Sequence, residues 1–246
     1  MNCCCCRSQA LNEMIKDVYQ CKSCEHIYCD YKGDIVDYHV NMYRALTGPR
    51  RDKEEIDASG QVTELFHTKR EDMVAKRMSF IENILTEDYE CLDIGAGAGT
   101  FAKSLAKRVK TVECTELSAN LLEECKRLGF KTYDEDILTL ELEKKYDIVF
   151  AWHVLEHLED IHAFVDKVRN LTKRYVVIEV PLLTALNGQG RRRRLKEPNL
   201  GNFDGHAHYF SHRSFRLLFE EQFEILEIKE GVQSPALFAL MEVKDG

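Results

Sequence analysis

The chain has 246 residues, with 34 Lys or Arg against 42 Asp or Glu, so its formal net charge is −8. Its 44% apolar content, with only 13 Gly and 4 Pro, excludes a disordered or collagen-like chain. The acidic balance argues against broad electrostatic binding to nucleic acid or anionic lipid. No apolar run approaches the roughly 18 residues of a membrane span, and the N-terminus has no secretory-type apolar core. We therefore expect a cytoplasmic globular protein.

The N-terminal segment is rich in cysteine, with seven of the ten cysteines in the first 29 residues. In a reducing compartment such clustering indicates metal ligation more readily than disulfides. Two CxxC pairs separated by fourteen residues are typical of a zinc ribbon or knuckle, in which four thiolates leave no open position and the metal is structural. The predicted ligands are Cys3, Cys6, Cys21 and Cys24. Cys4, Cys5 and Cys29 leave the ligand set open, and adventitious or redox-active thiols are the alternative.

The chain then divides by composition. Aromatic and β-branched residues from Tyr19 to Tyr43 predict a small strand-rich module, which Gly48 and Pro49 bring to an end. Apolar residues at intervals of three to four predict an amphipathic helix from Thr63 to Leu85. The resulting division is a cysteine-rich zinc-binding module at 1–47, a linker and helix at 48–85, and a larger domain at 86–246 with an insertion at 182–205.

The most informative segment is a strand, a glycine turn and a helix. The apolar strand Cys91–Ile94 runs into Gly95, Gly97 and Gly99, and a helical pattern follows. Glycines let the backbone approach a ligand closely and adopt dihedral angles that side chains forbid. A dinucleotide fold has the spacing GxGxxG, whereas this turn reads GxGxG after an acidic residue, Asp93. The spacing therefore points away from NAD.

The sequence LDIGAGAG, from Leu92 to Gly99, resembles the first motif of the class I S-adenosylmethionine-dependent methyltransferases, and the resemblance extends from Glu90 to Val180. It implies an α/β, Rossmann-like fold with a mostly parallel seven-stranded sheet and helices on both faces. It also implies that S-adenosylmethionine is the cofactor. The cofactor-binding residues that it implies are Asp93, Gly95, Ala96, Gly97 and Gly99 in the first motif, Glu116 and Leu117 after the second strand, Asp136 and Ile137 after the third, and Trp152 and His153 after the fourth.

Each implied contact has a chemical reason. Glu116 would accept hydrogen bonds from both ribose hydroxyls, because a carboxylate has only acceptors and can be bidentate. Asp136 would receive the adenine amino group while Ile137 packs on the ring. The fifth strand is expected to end at Pro181, and a helix from Ser211 to Gln222, capped by Ser211, should precede two closing antiparallel strands.

Histidines follow the fourth and fifth strands, where ligands bind in open α/β sheets. The segment GHAHYFS resembles the histidine-rich segment of a subgroup of sugar methyltransferases that also carry an N-terminal zinc module, but Gly205 stands where a glutamate often precedes the histidine. The resemblance implies His206 as the general base, with His208 as its neighbour and Tyr209 beside the substrate. A base at His208, or a structural role for both histidines, stays open. His157 is either a structural residue or a participant in the chemistry.

The predicted insertion carries four successive arginines, Arg191, Arg192, Arg193 and Arg194. Guanidinium groups bind phosphate oxygens bidentately, so the run is either a clamp for a substrate phosphate or a solvated loop. The hypothesis that follows is O-methylation of a polar small molecule such as a sugar, a nucleotide-linked sugar or a phosphorylated glycan precursor. The alternatives are a zinc-containing RNA or protein methyltransferase and a noncatalytic cofactor-binding protein. A small-molecule acceptor is the expected partner, with neither a membrane nor nucleic acid.

Overall fold

The computed structural model describes residues 2–15, 18–29, 57, 61–182, 206–231 and 236–244. The predicted linker, apart from Asp57, and the predicted insertion, apart from Leu182, lie outside these residues. The chain forms two compact units. The first comprises Met1–His39, Trp152–Asn170 and Tyr175–Gly246, and the second comprises Val40–Ala151 and Leu171–Arg174. Within the described part of the chain, no helix combines the length and hydrophobicity that crossing a bilayer requires.

The secondary structure alternates strands and helices after a strand-rich N-terminus. The strands are β1 Leu11–Ile15, β2 Val18–Cys21, β3 Ile27–Cys29, β4 Glu90–Ile94, β5 Thr111–Thr115, β6 Lys131–Tyr133, β7 Tyr146–Trp152, β8 Thr172–Pro181, β9 His208–Tyr209, β10 Phe223–Glu230 and β11 Ala236–Val243. The helices are α1 Glu64–Thr68, α2 Glu71–Ile81, α3 Thr100–Leu105, α4 Ala119–Arg127, α5 Ile161–Leu171 and α6 His212–Phe219. Short 3-10 turns cover Glu82–Ile84 and Leu155–His157.

A seven-stranded sheet has the strand order β10-β11-β8-β7-β4-β5-β6. Strand β4 pairs in parallel with β5 and β7, and β5 pairs in parallel with β6. Strand β11 runs antiparallel to both β8 and β10. The mostly parallel seven-stranded sheet and the antiparallel closing strands are therefore confirmed. Parallel strands need cover on both faces, which is why β7 is apolar at every position except Asp147.

In the second unit, a buried carboxylate organises the sheet beside β5. Glu113 accepts hydrogen bonds from the hydroxyls of Tyr133 at 2.6 Å and Tyr146 at 2.7 Å, and from Lys144 Nζ at 2.8 Å. Burial alone would raise the pKa of Glu113, but these donors, Lys144 foremost, lower it to about 2. A buried charge is tolerated when its acceptors are satisfied in this way.

The helix predicted over Thr63 to Leu85 is interrupted, since α1 ends at Thr68 and α2 begins at Glu71. The Arg70 guanidinium donates to the carbonyl of Phe66 at 2.8 Å and lies 3.5 Å from the centre of the Phe66 ring. Phe66 in turn packs against Ala98 of the glycine turn. The break allows Phe66 of α1 to pack on the glycine turn. This is a tertiary contact, which helical periodicity alone does not predict.

The first unit contains a four-stranded antiparallel sheet in the order β1-β2-β3-β9. Its fourth strand comes from far along the chain, with Ile27 opposite Tyr209 and Tyr28 opposite His208. The N-terminal strands are thus completed by the histidine-rich segment. Helix α6 begins after Ser211, whose hydroxyl accepts from the Ser214 backbone N–H in a capping box, so the predicted cap is confirmed.

Candidate functional site

The glycine turn of the second unit connects β4 to α3 through a run of left-handed backbone. The φ angles are +65° at Gly95, +59° at Gly97 and +71° at Gly99, a region that costs other residues energy. Thr115 at the end of β5 holds the start of the turn, because its hydroxyl oxygen accepts from the Gly95 N–H at 3.1 Å and its carbonyl from the Ala96 N–H at 2.9 Å. The strand end therefore sets the path of the turn.

Glu116 completes this arrangement. Its Oε2 accepts from the Gly97 N–H at 2.8 Å and its Oε1 accepts from the Ser118 N–H at 2.8 Å. A carboxylate oxygen can accept more than one hydrogen bond, so these backbone contacts are compatible with hydroxyl donors as well. The geometry thus suits the ribose contact that the sequence predicts for Glu116.

Two features of the turn fit a ligand. A Cβ added at Gly97 would meet no atom of the described residues within 4 Å, whereas one at Gly99 would lie 3.1 Å from Cys125 Sγ. Gly97 therefore borders open space, and Gly99 lets α4 pack closely against the turn. Asp93 is fully buried, and neither carboxylate oxygen has a hydrogen-bond partner among the residues that the structure describes. Burial raises the pKa of the Asp93 carboxyl to about 7, and the Arg77 guanidinium opposes this only in part.

The other predicted cofactor residues of this unit lie at strand ends. Leu117 follows Glu116 and is half-buried, and Ile137 is buried beyond the end of β6. One carboxylate oxygen of Asp136 accepts from the Leu138 N–H at 2.8 Å, which holds the side chain within its own turn. The second oxygen is the one that an adenine amino group would reach.

Sequence reasoning missed a histidine that supports α3. The ring of His67 contacts the Thr100 hydroxyl at 2.9 Å through Nδ1 and Glu124 Oε1 at 3.0 Å through Nε2. Arg127 donates to both oxygens of Glu124, at 2.7 Å and 2.6 Å. The network links α1, α3 and α4 around the glycine turn. Its members stand in ordinary amphipathic helices, so no local signal marks them.

In the first unit, His153 is held between two carboxylates. Its Nδ1 lies 2.9 Å from Glu156 Oε1 and its Nε2 lies 3.2 Å from Glu179 Oε1, while its N–H donates to the Glu179 carbonyl. Burial would lower the pKa of His153, but the two carboxylates raise it to about 10. The backbone φ of +58° at His153 is rare for a residue with a side chain and is held by these contacts. Trp152, just before it, is buried beside Phe238.

Glu179 is the second residue that the sequence reasoning missed. It stands in VVIEVP, a charged residue inside an otherwise apolar strand, and that contrast was the available signal.

Glu156 gathers two more histidines at slightly longer range. Its Oε1 lies 4.0 Å from His157 Nε2 and 3.9 Å from His206 Nε2, and the two imidazole rings meet edge to face with centroids 4.8 Å apart. Burial would raise the pKa of Glu156, yet the hydrogen bond from His153 lowers it to about 2. The Oε2 atom of Glu156 is buried and has no hydrogen-bond partner among the described residues. With 20% of its side chain exposed, His206 is the member of this group that a solute can reach most easily after His153.

The positions of His208 and Tyr209 differ from that of His206. His208 is buried, with Nε2 2.8 Å from the Leu158 carbonyl and Nδ1 3.1 Å from His26 Nε2. Burial lowers the pKa of His208 to about 4. Tyr209 is also buried, and its ring lies 5.7 Å from that of His206. This geometry favours His206 over His208 as a base and gives Tyr209 a packing role beside it.

The four predicted zinc ligands converge in the first unit. Their sulfur atoms all lie within 4.8 Å of one another, with 3.7 Å from Cys3 to Cys24 and 3.5 Å from Cys6 to Cys21. Four thiolates around one Zn²⁺ have sulfur–sulfur edges of about 3.8 Å, given a metal–sulfur bond of about 2.3 Å. The set therefore has the size of a tetrahedral zinc site.

The two CxxC segments have the same backbone geometry. The Arg7 N–H donates to the Cys3 carbonyl at 2.9 Å and the Glu25 N–H donates to the Cys21 carbonyl at 2.8 Å. The residues that follow the second cysteine of each pair are left-handed, with φ of +59° at Arg7 and +64° at Glu25. Two equivalent turns thus present two thiols each. The predicted phosphate ligands Arg191, Arg192, Arg193 and Arg194 lie outside the described residues.

Known proteins resemble this chain in sequence. Residues 62–228, more than half of the chain, match the family model described as a methyltransferase domain. Pavine N-methyltransferase from Thalictrum flavum subsp. glaucum is 26% identical over 98 residues, which span 36% of this chain and 28% of that relative's length.

Solved structures share the fold. The magnesium protoporphyrin IX methyltransferase of Synechocystis PCC 6803, solved with bound SAH, has a TM-score of 0.61 at 17% identity and covers 85% of this chain and 100% of its own. The N-methyltransferase NodS of Bradyrhizobium japonicum WM9, in complex with S-adenosyl-L-homocysteine, has a TM-score of 0.57 at 18% identity and covers 83% and 100%. The chain therefore belongs to the methyltransferase domain family.

Proposed function

We propose that this protein methylates a hydroxyl oxygen of a polar small molecule, with a sugar or a nucleotide-linked sugar as the substrate class. One observation carries the proposal. Three histidines, His153, His157 and His206, surround the buried carboxylate of Glu156. A hydroxyl must lose its proton as it attacks a methyl group, so an O-methyltransferase benefits from a placed general base. An acceptor that is already anionic would have no use for this group.

The cofactor side of the reaction depends on the glycine turn. When bound, S-adenosylmethionine supplies an activated methyl group on a sulfonium leaving group. Glu116, oriented by the Gly97 and Ser118 N–H groups, is the carboxylate that would accept from the ribose hydroxyls, and the space beside Gly97 would let the backbone approach the ligand. The carboxyl of Asp93, buried without a hydrogen-bond partner in the described part of the chain, would be ionised by a cationic ligand nearby.

His206 serves as the base in this proposal. The proton of the acceptor hydroxyl moves to its Nδ1, while Nε2, 3.9 Å from Glu156 Oε1, carries the other proton. The negative charge of Glu156 then stabilises the imidazolium that forms. His153, already protonated between Glu156 and Glu179, keeps Glu156 ionised and in place. His157, packed edge to face on His206, orients the ring.

We also propose a structural zinc ion on Cys3, Cys6, Cys21 and Cys24. The sulfur–sulfur distances and the two equivalent turns support it. Four cysteine ligands leave no position for a substrate, so this ion stabilises the sheet that β9 completes.

Two sequence features support a sugar acceptor. The segment from His206 to Ser211 resembles that of sugar methyltransferases with an N-terminal zinc module. The run from Arg191 to Arg194 offers guanidinium groups to a phosphate of a nucleotide-linked or phosphorylated glycan precursor. These features support carbohydrate modification as the proposed role.

The test is an acceptor screen that measures S-adenosylhomocysteine formation with hydroxyl, amine, carboxylate and tRNA acceptors. We expect turnover with sugars or nucleotide-linked sugars and a loss of about 100-fold in kcat, with little change in cofactor affinity, in His206→Gln. The matched control is His212→Gln, because His212 is exposed and its Nε2 lies 2.8 Å from Glu230. That variant should keep wild-type kcat.

The alternatives predict different results. Turnover restricted to amines or tRNA would reject the hydroxyl acceptor, and salt-dependent RNA binding would favour an RNA methyltransferase. Cofactor binding without turnover on any acceptor would favour a noncatalytic protein. Equal activity of His206→Gln and wild type would remove His206 from the mechanism.

A further inference from the structure

A second group of metal-ligand side chains lies in the first unit and shares no residue with the four-cysteine cluster. Cys4 comes from the N-terminal turn, His26 from the residue before β3, and His208 from β9. One ligand atom from each lies within 4.8 Å of the other two. His26 and His208 are both buried, and Cys4 is half-buried. We propose that Cys4, His26 and His208 bind a second divalent metal ion of the zinc class.

The distances have the size of one coordination sphere. His26 Nε2 lies 3.1 Å from His208 Nδ1, and Cys4 Sγ lies 3.8 Å from the same Nδ1 atom. Tetrahedral zinc, with bonds of about 2.05 Å to nitrogen and 2.3 Å to sulfur, separates two nitrogens by about 3.3 Å and nitrogen from sulfur by about 3.6 Å. These two separations each differ from the tetrahedral values by about 0.2 Å, and the ligand atoms of Cys4 and His26 lie within 4.8 Å of each other.

Hydrogen bonding alone does not account for this convergence. The Nε2 of His208 lies 2.8 Å from the Leu158 carbonyl, which can only accept, so Nε2 carries the proton and Nδ1 carries the lone pair. A neutral imidazole nitrogen has one lone pair, whereas both His26 Nε2 and Cys4 Sγ approach Nδ1. A metal ion bound to the Nδ1 lone pair of His208 would also bind His26 Nε2 and Cys4 Sγ, which accounts for the convergence of all three groups.

The surroundings resemble an outer coordination shell. A histidine that binds a metal through one ring nitrogen normally donates a hydrogen bond from the other. His208 does so, because its Nε2 faces the Leu158 carbonyl. The Cys4 backbone is held as well, because His162 Nε2 donates to its carbonyl at 2.9 Å. Binding of the ion would release the thiol proton of Cys4 and leave the two imidazoles neutral.

The proposed ion would cross-link segments of the first unit that are distant in sequence. The ion would join residues 4 and 26 to residue 208, two residues after His206. Three protein ligands leave one coordination position for water or another ligand, unlike the four-cysteine cluster. Cysteine and histidine ligands favour zinc over magnesium or calcium, which prefer oxygen.

The test measures metal content and site identity on the full chain. Purified wild-type protein, loaded with Zn²⁺ and freed of excess, should contain two equivalents by plasma mass spectrometry. Cys4→Ser and His26→Gln should each contain one. Cys5→Ser is the matched control, because Cys5 lies in the same cysteine run but its Sγ donates to the Ser214 carbonyl at 3.0 Å instead. It should keep two equivalents.

Anomalous diffraction at the zinc edge locates the bound ions in wild-type crystals. This measurement does not depend on whether the variants fold. Peaks at the four-cysteine cluster and between Cys4, His26 and His208 would support the proposal. A single peak at the four cysteines, or a second peak elsewhere, would overturn it. One zinc equivalent in both wild type and Cys4→Ser would overturn it as well.

Discussion

The backbone N–H of Gly97 donates to Glu116 Oε2 at 2.8 Å, so the glycine turn after β4 and the carboxylate after β5 are joined directly. The contact orients Glu116 before any ligand binds. Because the Ser118 N–H holds the other oxygen at 2.8 Å, the carboxylate plane is set by two backbone donors. A preorganised acceptor loses little entropy when a ribose binds.

Replacing Glu116 should therefore weaken cofactor binding and the turn together. In Glu116→Gln an amide NH₂ replaces one acceptor oxygen and faces a backbone N–H. We expect the Kd for S-adenosylhomocysteine to rise at least tenfold, about 1.4 kcal/mol, with a loss of about 1 to 2 kcal/mol in the free energy of unfolding. Calorimetric titration and urea unfolding measure these quantities. Glu123→Gln is the control, since Glu123 is exposed and pairs only with Lys126 among the ion pairs described. An unchanged Kd would contradict the assignment of Glu116.

Gly97 and Gly129 provide a matched pair for the ligand space at the turn. Both have positive φ, +59° and +89°, and within the described part of the chain a Cβ at either meets no atom within 4 Å. Alanine at each should cost roughly 1 to 2 kcal/mol of stability through backbone strain. Only Gly97→Ala should also weaken S-adenosylhomocysteine binding by about tenfold or more, because its methyl group enters the ligand space. Similar binding losses in both variants would show that strain alone is responsible.

Asp93 makes stability depend on pH in a defined direction. Burial raises its pKa from the ordinary 3.8 to about 7, so the folded state keeps a proton that the unfolded state has lost. The stabilisation is complete below about pH 4 and is lost as the pH rises toward 7. Between pH 5 and 8 the free energy of unfolding of the cofactor-free protein should fall by about 2 to 3 kcal/mol through this group.

Urea unfolding at both pH values measures this slope. Asp93→Asn should remove most of the decrease in the free energy of unfolding. Asp88→Asn should keep the decrease, because Asp88 is exposed. Equal slopes for wild type and Asp93→Asn would show that Asp93 is ionised in the folded protein.

His153 should remain an imidazolium at neutral pH. Its folded pKa of about 10 lies above the ordinary 6.5 because Glu156 and Glu179 bind both ring nitrogens, although burial acts in the opposite direction. A raised pKa of this kind stabilises the fold below about pH 6.5, and the contribution is lost as the pH rises through 10. Ring C–H resonances of His153 should not titrate between about pH 6 and 8.5.

Glu156→Gln should lower the midpoint of this titration, since one of the two carboxylates loses its charge. Glu230→Gln, which neutralises the exposed partner of His212, should leave His153 unaffected. A His153 titration near pH 6.5 in the wild-type protein would disprove the paired contacts of His153 with Glu156 and Glu179.

Metal removal should destabilise the N-terminal sheet. Zinc binding contributes folding free energy to segments with small cores, and β1, β2 and β3 are short. We expect 1,10-phenanthroline to lower Tm by about 5 °C or more, and its non-chelating 1,7 isomer to have no effect. Cys6→Ser should reproduce the loss without chelator. Zinc-free protein of unchanged Tm would refute a structural ion on the four cysteines.

Several elements followed from short segments of sequence. The strand Cys91–Ile94, the three glycines and the following helix are adjacent along the chain, so backbone preferences and apolar periodicity predict them without tertiary contacts. The same is true of the Ser211 cap, because a hydroxyl and a backbone N–H three residues apart define it. The helix predicted to run from Thr63 to Leu85 failed at Lys69 and Arg70, where packing of Phe66 on Ala98 interrupted it.

The sequence by itself determined the strand Cys91–Ile94 with its glycine turn and the two CxxC pairs, because each rests on residues close together along the chain. The seven-stranded sheet and the role of Glu116 were expected from the family resemblance. Only the tertiary structure decided which histidine of the segment GHAHYFS is buried and which is partly exposed. His26 and His208 are 182 residues apart, yet their ring nitrogens lie 3.1 Å from each other, which buries His208 and leaves His206 beside Glu156. That outcome depends on β9 pairing with β3, and long-range strand pairing is set by the packing of the whole unit rather than by local sequence.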